Sequence, residues 1–255
     1  VDIRVLGASG AEAPGHNSPA FLVDDFLLLD AGTVGLSLEN KAQCKITHIL
    51  LTHAHLDHIK GIPSLVDNIV ANNEGCRLTI LSGKDVLADL QRNIFNNRIW
   101  PDFSRLPTPE HPVMRYQPIS TRSPFDLRGY RVHATRVNHV VPAYGYLIAT
   151  PAGKALVYSG DSGPTQGIWK NFRGYHVKAV IVEVSFPNEL ESLALASGHL
   201  TPALLEREIA KMATLPEKLY ISHIKPHYRA AIEKQLAPST RLPLEILEDN
   251  RVLVI

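Results

Sequence analysis

The segment Thr52-His53-Ala54-His55-Leu56-Asp57-His58 constrains this chain more than any other. It follows the apolar run Ile46–Leu51, which reads as a buried strand, and precedes a helical pattern that begins near Ile59. If the backbone stays extended over His53 to His55, side chains two apart project to one side, so both imidazoles can grip one ion. Asp57 and His58, where the chain turns into the helix, can grip another. A polar loop whose histidines cap the helix or face water would account for any one of these residues, but poorly for the group.

The rest of the chain repeats this setting. Phe26–Leu29, Ala155–Tyr158, Ala179–Val182 and Lys218–Ile221 also read as buried strands, each followed closely by a polar residue. Helical spacing covers Ile59–Ala71, Lys84–Phe95, Thr201–Met212 and Tyr228–Leu236, the third opening on Thr201 as cap and Pro202 in the first turn. The middle, Val113–Thr150, is strand-rich, with turns at Ser123-Pro124 and Arg128-Gly129 that suit hairpins. The expectation is a layered α/β protein with mixed sheets, and one domain over residues 1–255. Asn96–Pro112 reads as a surface excursion with buried aromatics, or else as a substrate-covering loop. Gly7-Ala8-Ser9-Gly10 lacks the full pattern of a phosphate loop and reads as a turn near the site.

Asn138-His139, Ser159-Gly160-Asp161 and Ser222-His223 each place a further ligand type at or just past a strand end. With these residues the chain resembles the metallo-β-lactamase superfamily, whose His-x-His-x-Asp-His motif, later His, later Asp and final His bind two metals. The resemblance implies a four-layer αββα sandwich with two mixed sheets. It also implies that His53, His55 and His139 bind one ion, Asp57, His58 and His223 the second, and Asp161 both. Imidazoles and carboxylates without thiolates suit two divalent ions, zinc first, with manganese or iron as alternatives. Asp30, after Phe26–Leu29, resembles the family's early aspartate, which orients ligands without coordinating metal.

Ser197-Gly198-His199-Leu200-Thr201-Pro202 and Ile221-Ser222-His223-Ile224-Lys225-Pro226, taken with His55-Leu56-Asp57-His58, look like class II 3′,5′-cyclic nucleotide phosphodiesterases. That likeness implies attack by a metal-held hydroxide on a cyclic nucleotide (cAMP or cGMP), giving a 5′-nucleotide. Asp57, Asp161 and His199 are then the catalytic candidates, His199 as proton donor to the leaving oxygen. Transfer-RNA 3′ processing is the nearest alternative, since Tyr158-Ser159-Gly160-Asp161 and a His before a helix also look like that branch. Other superfamily hydrolyses, and a noncatalytic metal-binding module, are further alternatives.

Charge bears on the partner. Lys and Arg total 26 against 25 Asp and Glu, so no global field favours a long nucleic acid, and a small phosphodiester fits better. No apolar stretch approaches the roughly 18 to 20 residues that span a bilayer, and the opening Val1-Asp2-Ile3-Arg4 lacks signal-peptide character, so a cytoplasmic location is expected. Cys44 and Cys76 are too few for a disulfide framework and read as core thiols. His16, His48, His111, His133, His176 and His227 have no motif support and are assigned surface or structural roles. Nothing in the sequence reports oligomeric state, a homodimer included.

Overall fold

The computed structural model describes residues 1–72, 75–172, 174–236 and 242–255. It holds two compact units, the first built from residues 1–8, 17–119 and 248–254, the second from 9–16 and 120–247 with residue 255. Each contains one mixed seven-stranded sheet.

In the first unit the strands are β1 (Asp2–Gly7), β2 (Ala20–Val23), β3 (Leu27–Leu29), β4 (His48–Leu50), β5 (Leu78–Ser82), β6 (Met114–Pro118) and the late strand β14 (Val252–Val254). Their order is β14-β1-β2-β3-β4-β5-β6, antiparallel from β14 to β3 and parallel from β3 to β6. Its helices are α1 (Asn40–Gln43), α2 (Leu56–Ile59), α3 (Gly61–Asn72) and α4 (Lys84–Asn93). Strands β2 and β3 are buried at every position, as their unbroken apolar runs require. On α3, Ile62, Leu65, Val66 and Ile69 form the buried stripe that the 3.6-residue period sets out.

The second unit orders β13 (Leu244–Ile246), β12 (Lys218–Ser222), β11 (His176–Glu183), β10 (Lys154–Tyr158), β9 (Tyr144–Ala149), β8 (Tyr130–Arg136) and β7 (Phe125–Leu127) side by side. Strands β7 to β10 pair antiparallel and β10 to β13 parallel. The β7–β8 hairpin turns on Arg128 and Gly129, both at positive φ (46° and 91°), the backbone that a two-residue hairpin loop demands. Its helices are α5 (Gly167–Lys170), α6 (Glu191–Ser197), α7 (Pro202–Ile209) and α8 (Arg229–Leu236). As expected, α7 starts on Thr201, whose hydroxyl accepts the Leu204 amide at 3.3 Å, with Pro202 next. Leu147, Val157, Trp169, Val180, Leu205 and Leu219 lie in its core, each fully buried aliphatic side chain contributing roughly 1.5–3 kcal/mol.

Two expectations are revised. The helix expected over Ile59–Ala71 is a short α2 followed by α3, which starts at Gly61. Cys44 and Cys76 are not core thiols: both are half-buried and joined in a disulfide, their Cα atoms 5.8 Å apart. Thirty-two positions separate them in sequence, and only the parallel pairing of β4 with β5 and the packing of α1 on α3 bring them together. Closing a loop of that length is worth about 3–4 kcal/mol through the entropy of the unfolded chain. In the Asn96–Pro112 segment Phe103 is buried and Trp100 half-buried, in keeping with a surface excursion anchored by aromatics.

Candidate metal centre

In both units the polar residues of interest leave strand ends; all but His139, which follows the antiparallel β8, leave strands that pair parallel with a neighbour, the edge where α/β proteins commonly place ligands. In the first unit β3 and β4 are parallel with Leu29 opposite Leu50, so Asp30 and the Thr52–His58 run emerge side by side. The backbone is still extended at His55 (φ −67°, ψ 146°) before α2 begins at Leu56. The His53 ring lies 4.6 Å from that of His55 and 4.2 Å from that of His58, centroid to centroid. Ligand atoms of His53 and His55 come within 4.8 Å of each other, as do those of Asp57 and His58. His53 and His58 are fully buried, whereas His55 and Asp57 are half-buried.

Asp30 organises this group, as the early-aspartate resemblance implied. It is fully buried and sits at φ 55°, a conformation that costs energy for any residue but Gly. One carboxylate oxygen accepts the Thr52 amide at 2.7 Å; the other accepts the Thr52 hydroxyl at 2.8 Å and His58 Nδ1 at 2.7 Å. Having given its only proton to Asp30, the Thr52 hydroxyl can only accept from His53 Nδ1, 2.9 Å away. Both rings therefore carry their proton on Nδ1 and a lone pair on Nε2, the tautomer a metal ligand needs.

In the second unit His139 follows β8, Asp161 follows β10 and His223 follows β12. Nδ1 of His139 donates to the Gly198 carbonyl at 2.9 Å, which again leaves the lone pair on Nε2. Burial holds the proton affinity of His139 below the ordinary imidazole value, against the opposing charge of Asp161 and the Gly198 hydrogen bond. Asp161 is buried, its Oδ2 lies 3.2 Å from His223 Nε2, and it has a ligand atom within 4.8 Å of one on His139. His223 itself adopts φ 61°. Gly10 passes so close that a Cβ there would stand 2.3 Å from the His223 carbonyl oxygen, so the turn read from the sequence does abut the site.

Sequence reasoning missed two residues, Glu183 and Ser185. Glu183 ends β11, almost fully buried, and accepts His199 Nδ1 at 2.8 Å on one oxygen and the Ser185 hydroxyl at 2.9 Å on the other. Of the acceptors in reach of the Ser185 hydroxyl, Glu183 at 2.9 Å is nearer than the His223 carbonyl at 3.3 Å; with its proton there, Ser185 accepts from His223 Nδ1 at 2.8 Å, and the neutral His223 ring then keeps its lone pair on Nε2 as well. His199 stacks on His223 at 5.4 Å and lies 5.2 Å from His139. Burial alone would lower the proton affinity of His199, but the charge and hydrogen bond of Glu183, with Asp161 behind, outweigh it and raise the pKa above the ordinary value. The signal for Glu183 was its position: it closes a buried strand as Asp161 and His223 nearly do, but a lone Glu carries no motif.

Of the remaining histidines, His133 bonds the Tyr175 hydroxyl at 2.7 Å and His48 the Thr47 hydroxyl at 2.8 Å, structural roles as expected. The donor set, imidazole Nε2 and carboxylate oxygen with both thiols consumed in a disulfide, fits divalent cations that take nitrogen and oxygen ligands. No helix among the described residues is long and apolar enough to cross a membrane.

The Beta-lactamase superfamily domain matches residues 27–224. A Yersinia pestis protein named "Probable 3′,5′-cyclic-nucleotide phosphodiesterase" is 28% identical, covering 89% of this chain and 79% of its own. The 3′,5′-cyclic-nucleotide phosphodiesterase 1 of Saccharomyces cerevisiae is 26% identical, covering 82% of this chain and 62% of its own. Proteins named Ribonuclease Z also match. Among solved structures, unliganded yeast PDE1 superposes with a TM-score of 0.84 at 17% identity, covering 100% of this chain and 99% of its own. A metallo-β-lactamase fold protein of Bacillus subtilis gives 0.79 at 18%, covering 99% and 98%. These likenesses show the fold, and the expectation of a metallo-β-lactamase architecture with two mixed sheets is met.

Proposed function

The chain belongs to the β-lactamase superfamily, a family of metal-dependent hydrolases, and from that premise we propose that it is a dinuclear phosphodiesterase that hydrolyses 3′,5′-cyclic nucleotides to 5′-nucleotides. The observation that carries the reading is the common tautomer of four imidazoles: His53, His58, His139 and His223 each have Nδ1 tied to an acceptor, so that Nε2 is presented to an ion. The two relatives named for cyclic nucleotides support the substrate.

On this reading the two units form one hydrolase domain. His53, His55 and His139 would hold one ion, Asp57, His58 and His223 the other, and Asp161 both, with zinc the first choice for such donors. When bound, the ions supply Lewis acidity and lower the proton affinity of a water. The chain's own contribution is orientation and proton supply. Asp30 fixes His58 directly and His53 through Thr52, and Ser185 fixes His223. The Glu183 carboxylate favours the protonated form of His199, which suits His199 to give a proton to the departing 3′ oxygen.

Hydrolysis of a phosphodiester panel by the metal-loaded protein tests this, with Asp161→Ala as control. Conversion of cAMP or cGMP to the 5′-monophosphate is the expected result. Metal-replete protein that leaves both intact but trims precursor transfer RNA would replace the substrate reading with the ribonuclease Z one, against which the net charge of +1 counts. The cytoplasmic location expected from the opening residues sits poorly with the Cys44–Cys76 bond, since disulfides persist mainly in oxidising compartments.

A further inference from the structure

Resting on the phosphodiesterase reading, we propose that Lys225 docks the anionic phosphoryl oxygens of the substrate beside His199, a role separate from metal binding and from proton transfer. Lys225 lies two residues after His223, in extended backbone (φ −71°, ψ 124°), with its side chain half-buried. Its ammonium donates to the Gly10 carbonyl at 3.1 Å and stands 5.4 Å from the centre of the Phe186 ring. Phe186 in turn packs 5.7 Å from the His199 ring.

Lys225 differs in its company from the lysines that are ion-paired. Lys45, Lys178, Lys211 and Lys218 each hold a carboxylate: Asp25, Glu217, Glu208 and Glu245 respectively. Among the described residues no carboxylate lies within ion-pair distance of Lys225, whose contacts are a neutral carbonyl and an aromatic face. A half-enclosed cation without a counter-charge has given up hydration that an arriving anion restores. An ammonium has three donors, and Gly10 takes one, which leaves two for phosphoryl oxygens. The tether is rigid as well: Gly10 is wedged against the carbonyl and Nδ1 edge of His223, so its carbonyl holds the lysine at a fixed place beside that residue. A phosphodiester, which keeps its negative charge throughout the neutral range, is the ligand class this arrangement suits.

The test compares wild type, Lys225→Gln and Lys225→Arg as full, metal-loaded chains on a cyclic nucleotide. Docking predicts that Lys225→Gln raises KM roughly 10- to 100-fold, the loss of a charge-assisted hydrogen bond, with kcat within about threefold. Lys225→Arg should restore most of the loss, and competitive inhibition by inorganic phosphate should weaken in parallel with KM. An unchanged KM, or a loss confined to kcat, overturns the proposal. Because the glutamine variant could fold poorly, a second measurement uses wild type alone: acetylation of Lys225, read by mass spectrometry, should be slowed by inorganic phosphate. Equal acetylation with and without phosphate overturns the proposal too. If wild type hydrolyses no phosphodiester, the functional reading fails, and phosphate protection still reports separately whether Lys225 is an anion site.

Discussion

The first unit gathers its candidate ligands within six consecutive residues, His53 to His58, whereas the second draws His139, Asp161 and His223 from three strand ends spread over 85 positions. Their supports differ accordingly. A single carboxylate, Asp30, holds Thr52 and His58 directly and His53 through Thr52. In the second unit a carboxylate and a hydroxyl, Glu183 and Ser185, divide the task between His199 and His223. A concentrated motif can hang on one residue; a dispersed one needs a relay, and each member of a relay should matter less.

The sharpest way to break that comparison is Asp30→Ala. It would strand the Thr52 amide, the Thr52 hydroxyl and His58 Nδ1 in a fully buried place, at about 1–3 kcal/mol for each orphaned group. A loss of about 4 kcal/mol or more in the urea unfolding free energy is expected. A loss under about 1 kcal/mol would mean that Asp30 is dispensable.

Next comes the disulfide, which closes a loop carrying all four first-unit candidate ligands, while the second unit has no counterpart. Reduction, or the Cys44→Ser/Cys76→Ser pair, should cost about 3–4 kcal/mol and lower Tm by roughly 10 °C in a scan of the metal-free protein. Two titratable thiols in protein prepared without reductant would show that the bond does not persist in solution.

Smaller again is Ser185→Ala. With its hydroxyl gone, His223 Nδ1 loses its acceptor, and metal affinity should fall about 10- to 100-fold by competition with a chelator. Unchanged affinity would put the relay in doubt. Smallest on binding is Glu183→Gln, which keeps the shape but removes the charge facing His199. We expect metal content near wild type and kcat lowered by about tenfold or more, and a fall in metal content instead would move Glu183 into the ligand set.

The asymmetry between the units also explains what could be read in advance. The His53–His58 run was legible because an extended strand end and a helix start have fixed periods, so local spacing alone dictates which side chains share a side. The strands, the Arg128-Gly129 hairpin and the Thr201 cap were legible for the same reason: each is a short-range steric or hydrogen-bond preference. Glu183 and Ser185 were not, because a polar residue after an apolar strand is common, and only sheet order makes β10, β11 and β12 neighbours.

The Cys44–Cys76 bond was misread on the same ground: nothing local separates a thiol destined for the core from one that meets a partner 32 residues away. What the amino-acid order determined by itself was the identity of the candidate donors and the secondary structure that carries them. Only the tertiary structure decided which nitrogen of each ring bears its proton, because that depends on acceptors that strand pairing delivers from distant positions: Asp30 by way of Thr52 for His53, Gly198 for His139, Ser185 for His223.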